Sequence, residues 1–402
     1  MFPRQIDRAT SNFSFFVLFL SSSSKGLDFS LNCLCRKTAL PNKDHLTPSK
    51  VMSAPASLHA SSIFAVRETA ESGRGVYATQ FIPKGTLLSE TAEIAASVVY
   101  REYWKEVCAQ CFKYERGRNW KIRDQTAGHA FCSEECQTIW KNDTVNDGAA
   151  SIAIEGLGKT AKQGSSDMDE DPAHSLPRPT TLEIDAAWAE AEETATKIRH
   201  ARSSAKPSKP ERRLLSQILA IPPSRDVITY QLHAFLTIAN SSSLWSDVVI
   251  LESEAMPYIS PADLKFQITS YHHLLACAPL PLLDHITADN IRTLAAKSSH
   301  NVFNIWSQDL DDGGSGGSEC LGYGLWTAAS YWNHSCGPNI RKRRNGRTWM
   351  FWAERDVQEG EALCISYLGG DERDMTRQER RTKLKEHWKF DCACKRCDEE
   401  AK

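Results

Sequence analysis

Two groups of closely spaced cysteines constrain this 402-residue chain more than any other feature. The last stretch, FDCACKRCDEE, sets Cys392, Cys394 and Cys397 in the spacing C-x-C-x2-C. Thiols that close cannot pair sensibly with one another. They supply three corners of a tetrahedral zinc site, and the fourth must come from a distance. Cys336, in the stretch YWNHSCGPN, is the best candidate, and it would staple the tail onto the body. The earlier group joins Cys108 and Cys111 in CAQC to Cys132 and Cys136 in FCSEEC. C-x2-C plus C-x3-C is a complete four-thiolate set, with His129 close by as a substitute ligand. Sites closed by four ligands have folding roles and leave no position for zinc catalysis. The bland alternatives are free surface thiols for the tail and a redox-active CxxC for the earlier group. The second is weak, because no thioredoxin-like βαβ pattern surrounds it.

The cysteine total, 13, is odd and clustered in short pairs, which argues against a secreted disulfide framework. Lone Cys277, Cys320 and Cys364 read as buried small apolar residues. The composition, 41% hydrophobic and 24% charged, suits a globular protein, and a net charge of −2 calls for neither nucleic acid nor an anionic membrane. The exception is RKRRNGR from Arg341 to Arg347, read as a solvated hairpin turning at Asn345-Gly346. The apolar run Phe15–Leu20 is far shorter than the roughly 20 residues that span a bilayer. Residues 1–55, with Cys33 and Cys35, are read as a disordered leader or an overlong gene model, and Met52 as a natural start.

Strand formers alternate with turn pairs over 61–92. Residues 142–182, rich in Gly, Ser, Asp and Pro, read as a disordered insertion. Helix formers dominate from Leu182 to Lys297, broken by KPSKPE at 206–211, Pro222-Pro223, Pro257 and Pro279/Pro281. A glycine-rich loop covers 311–319, strands return over 321–367, and a charged helix leads into the last cysteines. Neither zinc group carries a basic recognition helix, so a nucleic-acid binder is a weak reading. The β-rich material is split, and a fold of the α+β class must bring its halves back together.

Four separated stretches agree with one family. GRGVYAT at Gly73–Thr79 precedes IPKGTLL; NHSCGPN spans Asn333–Asn339; EGEALCISY ends at Tyr367; FDCACKRC closes the chain. In this order they resemble the SET-domain protein lysine methyltransferases with a cysteine-rich post-SET tail. The zinc module after the first stretch looks like the SMYD-like subgroup, whose SET domain is split by a MYND-type finger. KYERGRNWKIRDQTAGHA contains no thiol, so a one-zinc remnant of that finger is expected.

The resemblance implies an α+β fold: a split SET domain of short β-sheets with a knot-like C-terminal crossing. Its parts would be the N-terminal SET portion (61–106), the zinc finger (107–141), the insertion (142–182), a helical segment (183–300), the C-terminal SET portion (301–370) and the zinc-bound tail (371–402). It implies methyl transfer from S-adenosylmethionine to lysine side chains of proteins, with two structural Zn2+ ions. Tyr367 would be the catalytic tyrosine. Arg74, Gly75, Asn301, Asn333, His334 and Phe390 would bind the cofactor. Cys108, Cys111, Cys132, Cys136, Cys336, Cys392, Cys394 and Cys397 would hold the metal. Plainer readings stand beside these: a glycine turn for Arg74-Gly75, a structural histidine for His334, a helix-terminal cap for Asn301, an edge-strand tyrosine for Tyr367. The implied partner is a protein presenting a lysine, histones and chromatin proteins included, met by a monomer in the nucleus or cytoplasm. The competing function is an inactive SET and zinc adaptor that recruits partners.

Overall fold

The computed structural model describes residues 61–402 apart from 70–72, 116, 126–127, 145–176, 222, 308–318 and 370. The leader over 1–55, most of the 142–182 insertion and nearly all of the 311–319 loop lie outside the described residues. The strands, in chain order, are β1 (Phe64–Thr69), β2 (Gly73–Ala78), β3 (Leu87–Thr91), β4 (Ala96–Val99), β5 (Ile122–Arg123) and β6 (Ala130–Phe131). After the helices come β7 (Phe303–Trp306), β8 (Cys320–Leu325), β9 (Asn333–His334), β10 (Ile340–Asn345), β11 (Thr348–Ala353) and β12 (Cys364–Ile365).

The two halves of the β material do meet. β1 and β2 form an antiparallel pair, Phe64 opposite Ala78. β3 completes a three-stranded sheet in the order β10-β11-β3, and β4 another in the order β4-β8-β7. Early strands are therefore hydrogen-bonded to strands from the far side of the helical segment. Gly322 is needed for this closure. Its φ is +155°, and a Cβ there would stand 2.1 Å from the Val98 carbonyl oxygen. Apolar faces of these sheets share one core, with Val66, Val76, Val98, Leu321, Trp326, Phe351 and Ile365 inside.

The helical segment has its own core. Helix Thr181–Ser203 starts at a capping box between Thr180 and Glu183. Its buried residues Ile184, Trp188, Ala191, Ala195 and Ile198 recur every three or four positions, a single apolar stripe. The stripe packs on helix Pro261–Cys277, and the Trp188 indole N–H donates to the Tyr258 hydroxyl at 2.9 Å. The expected break at 206–211 is shorter than the sequence suggests. Pro210 lies in the first turn of helix Lys209–Ala220, where its missing N–H costs nothing. No helix among the described residues is long and apolar enough to cross a membrane.

Hairpin β10–β11 turns at Asn345-Gly346, with Gly346 at φ +61°. The basic run is not a solvated face throughout, however. Arg341 and Arg343 point outward, but Arg344 is buried and donates to the Trp306 carbonyl at 3.0 Å. Alternation along β10 turns every second residue inward. Cys277, Cys320 and Cys364 are only partly buried, and burial pushes each thiol up to about 11.

Helix Arg225–Asn240 is tied to β4 through His233, whose Nδ1 accepts the Ser97 backbone N–H at 3.0 Å. Burial lowers the pKa of His129, His233 and His273 from 6.5 to about 4. The unfolded chain takes up these protons near pH 6.5 and the native fold only near pH 4, so the neutral form is stabilising above pH 6.5. Stability is expected to fall as pH drops from about 6.5 towards 4, read as a lower thermal midpoint at pH 5 than at pH 7.5.

Candidate active site

The tail does fold back onto the Asn-His-Ser-Cys stretch. The sulfurs of Cys336, Cys392, Cys394 and Cys397 all lie within 4.8 Å of one another. Cys336 Sγ is 3.8 Å from Cys392 Sγ and 3.5 Å from Cys397 Sγ. Disulfide sulfurs stand about 2 Å apart. Thiolates at about 2.3 Å from a tetrahedral zinc stand about 3.8 Å apart, so the donor set fits that ion. Crowding splits the thiols. Hydrogen bonding with Cys336 holds Cys394 far below the usual range, while Cys392 pushes Cys336 far above it. Fully buried Arg380 donates to Cys397 Sγ at 3.9 Å and pairs with Glu400. Arg396 bonds the carbonyls of Cys336 and Glu372 at 3.1 and 3.0 Å. These cations offset thiolate charge and fix the loop that carries it.

Cys108, Cys111, Cys132 and Cys136 form the second cluster, with 3.5 Å between Cys111 and Cys132 and between Cys132 and Cys136. The β5–β6 pair and helix Glu134–Thr144 hold it. His129 is not part of the cluster. Its ring packs 4.6 Å from Trp104 and 5.6 Å from Trp140, a core position.

Around the first cluster the chain crosses itself. β9 runs parallel to β12, with Asn333 opposite Cys364 and His334 opposite Ile365. Asn339 locks the crossing from both sides: its amide donates to the Ala362 carbonyl and its oxygen accepts the Cys364 N–H, each at 2.8 Å. Sequence reasoning quoted Asn339 inside NHSCGPN but gave it no task. Asn333 donates to the Arg74 carbonyl at 2.8 Å. Gly75 permits this, because a Cβ on it would stand 2.7 Å from the Asn333 amide nitrogen. The close approach read from Gly75 is thus one of protein on protein. Arg74 lies with its guanidinium 5.7 Å from the Tyr331 ring.

His334 links the two features. Its Nδ1 accepts the Tyr367 backbone N–H at 3.0 Å, which leaves the proton on Nε2, 3.3 Å from Cys336 Sγ. Burial keeps the ring neutral, with a pKa down near 4. The Tyr367 hydroxyl donates to the Trp332 carbonyl at 3.1 Å, and burial raises its pKa well above the usual value, so the phenol is neutral. Rings close over it: His334 and Trp388 at 5.3 Å, Phe390 at 6.5 Å. Asn301, at the end of helix Ala288–Asn301, donates to the Lys297 and Glu252 carbonyls at 2.7 and 3.0 Å. Its own carbonyl accepts from Ser330, just ahead of the crossing. Trp332 and Trp388 received no task from sequence; only their indoles' neighbours in space reveal one.

Two equivalents of zinc per chain are expected by elemental analysis. Cys392→Ser should bind one equivalent and expose the tail to protease; Cys108→Ser should keep the tail's zinc and lose the other. Gly75→Ala should cost about 1–3 kcal/mol in denaturant titration, because it displaces the Asn333 amide from the Arg74 carbonyl.

The family model described as SET domain matches residues 73–368. The potential protein lysine methyltransferase SET6 of Saccharomyces cerevisiae is 26% identical over 373 residues, 85% of this chain and 96% of that protein. The human histone-lysine N-methyltransferase SMYD3 is 36% identical over 107 residues, 27% of this chain and 22% of its own length. The mouse protein-lysine N-trimethyltransferase SMYD5 is 38% identical over 84 residues, 20% of each chain.

Proposed function

The chain belongs to the SET-domain family, and we propose that it moves a methyl group from S-adenosylmethionine to lysine side chains of other proteins, histones among the candidates. The observation that carries this reading is the partly buried neutral phenol of Tyr367 beneath the tail's aromatic rings, next to the Asn333-His334 crossing.

The donor supplies, when bound, a methyl group already activated by a sulfonium. What remains for the protein is alignment, exclusion of water and delivery of a neutral amine. Alignment can supply roughly 7–11 kcal/mol of the barrier. Tyr367 suits the reacting centre: an un-ionised hydroxyl orients the amine and faces the methyl's partial charge without competing as a nucleophile. Trp332, His334 and Trp388 exclude water around it. Arg74 has the charge to hold the donor's carboxylate, and Asn333 and His334 carry backbone groups for its remaining polar edge. Phe390 would cover its flat ring system, held there by the metal two residues away.

Tyr367→Phe is expected to bind S-adenosylmethionine like the wild type by calorimetry. Its transfer of labelled methyl to fractionated lysate proteins should drop by ~100-fold or more, as when a positioned proton-bearing group is removed. Absence of donor binding to the wild-type protein would instead favour the adaptor reading.

A further inference from the structure

Lys342 has no task in the reaction outlined above, yet its ammonium bonds the carbonyl of the residue that precedes Tyr367. It lies on β10 opposite Phe351 of β11. Phe351 stacks on Trp332, ring centroids 4.9 Å apart and planes within 15°. The backbone carbonyl of Trp332 in turn accepts from the Tyr367 hydroxyl. Trp349, two residues before Phe351, shares that face of the strand. The Lys342 ammonium is enclosed there: 5.4 Å from the Phe303 ring centroid, 6.0 Å from that of Trp349, and 2.9 Å from the carbonyl of Ser366, to which it donates. Ser366 immediately precedes Tyr367. Ring faces and a carbonyl, one residue along the chain from the phenol of Tyr367, are the surroundings an acceptor amine requires, and a resident amine already occupies them.

We propose that Lys342 shares the acceptor pocket with the incoming lysine, and that the two amines hold one ammonium charge between them, so that the acceptor reaches Tyr367 as a neutral nucleophile. The inference rests on the methyl-transfer reading. Its physics is that of two like charges in one desolvated site, where the pair gives up a proton that each group alone would keep. The need is real: with a free-lysine pKa of ~10.4, only about one amine in a thousand is neutral at pH 7.4. A neighbouring cation is one established way to lower that barrier.

The other groups around Lys342 leave it as the source of positive charge. Glu372 is its counter-charge. His334 on β9 is neutral, with a pKa near 4. The phenol of Tyr367 and the thiol of Cys364, the latter pushed up to about 11 by burial, are neutral as well. Burial lowers Lys342 itself to about 8 despite Glu372, so the pocket already resists one charge. The incoming ammonium would pass its proton to water or to the neutral form of Lys342. The freed lone pair then forms the N–C bond as the C–S bond breaks. Its electrons go to sulfur and leave S-adenosylhomocysteine and a methylated ammonium.

The test is the pH dependence of initial label transfer to the lysate proteins between about pH 6 and 10, spanning the window between a perturbed and a free lysine. Lys342→Gln removes the charge and keeps a donor for the Ser366 carbonyl. Its midpoint should rise by at least ~1 pH unit, with a loss of ~10-fold or more at pH 7. Lys342→Arg keeps a fixed cation and should keep the low midpoint. Donor binding by calorimetry checks that each variant is folded, and Lys342→Met replaces Lys342→Gln if that variant fails it. A uniform loss of rate at every pH with the midpoint unmoved, or no change, overturns the inference while leaving methyl transfer intact. No labelling by the wild type overturns both.

Discussion

Four sulfurs, one from the Asn333–Asn339 stretch and three from the tail, hold the site together. The tail helix Arg377–Trp388 buries only Arg380 and Leu384. A 12-residue helix with so little buried surface does not dock on hydrophobic contact alone. Joined to Cys336, the same tail presents a thiol cluster that could hold a zinc ion, and such binding in small zinc-folded peptides is worth roughly 10–16 kcal/mol. Trp388 ends that helix and Phe390 lies between it and Cys392, so anchoring the cysteines also anchors the rings that enclose Tyr367. A zinc bound there would be structural in its coordination, yet the enclosure of Tyr367 would depend on it.

The same loop serves the crossing. Ser335 and Asn339 bond residues of β12 and its approach, while Cys336 between them faces the tail. Misplacement of one strand is therefore felt by both the thiolate cluster and the phenol. The intervening helical segment puts little strain on this arrangement. Loop-closure entropy grows only by about 0.6 kcal/mol per doubling of length, so a strand pair such as β4 and β8 tolerates a long excursion between its members. That excursion has its own core, and His233 pins it to the sheet.

The cysteine spacings made the two thiol clusters legible, because a thiol's chemistry survives whatever the backbone does. That Cys336 joins the tail's cluster was legible for the same reason. The β10–β11 turn was legible because Asn-Gly is a local signal. What escaped was set by neighbours in space. Along β10 the sequence RKRRN is polar at every position, so no hydrophobic alternation marks which residues turn inward. Only the rings of Phe303 and Trp349 make Lys342 an interior group. β7 was missed as a strand because it is four residues long and follows a helix directly. His129 is close enough in sequence to four cysteines to serve as a substitute ligand, but four thiols suffice and its ring packs between two tryptophans instead.

Charge is sorted across the two sides of the crossing. On the side of the thiol cluster, Arg380 reaches Cys397 Sγ and Arg396 the Cys336 carbonyl. On the tyrosine side, the thiol, imidazole and phenol are all neutral, and Lys342 is the positive group enclosed among them. Such a separation suits a reaction that moves a positively charged carbon between two nucleophiles. Anions beside the phenol would compete for the methyl or hold the acceptor as an ammonium, and the tail's arginines keep the thiolate charge on the far side of His334. The neutral imidazole is thus an insulator as well as a hydrogen-bond link: protonated, it would repel Lys342 and lose its bond from the Tyr367 backbone at once.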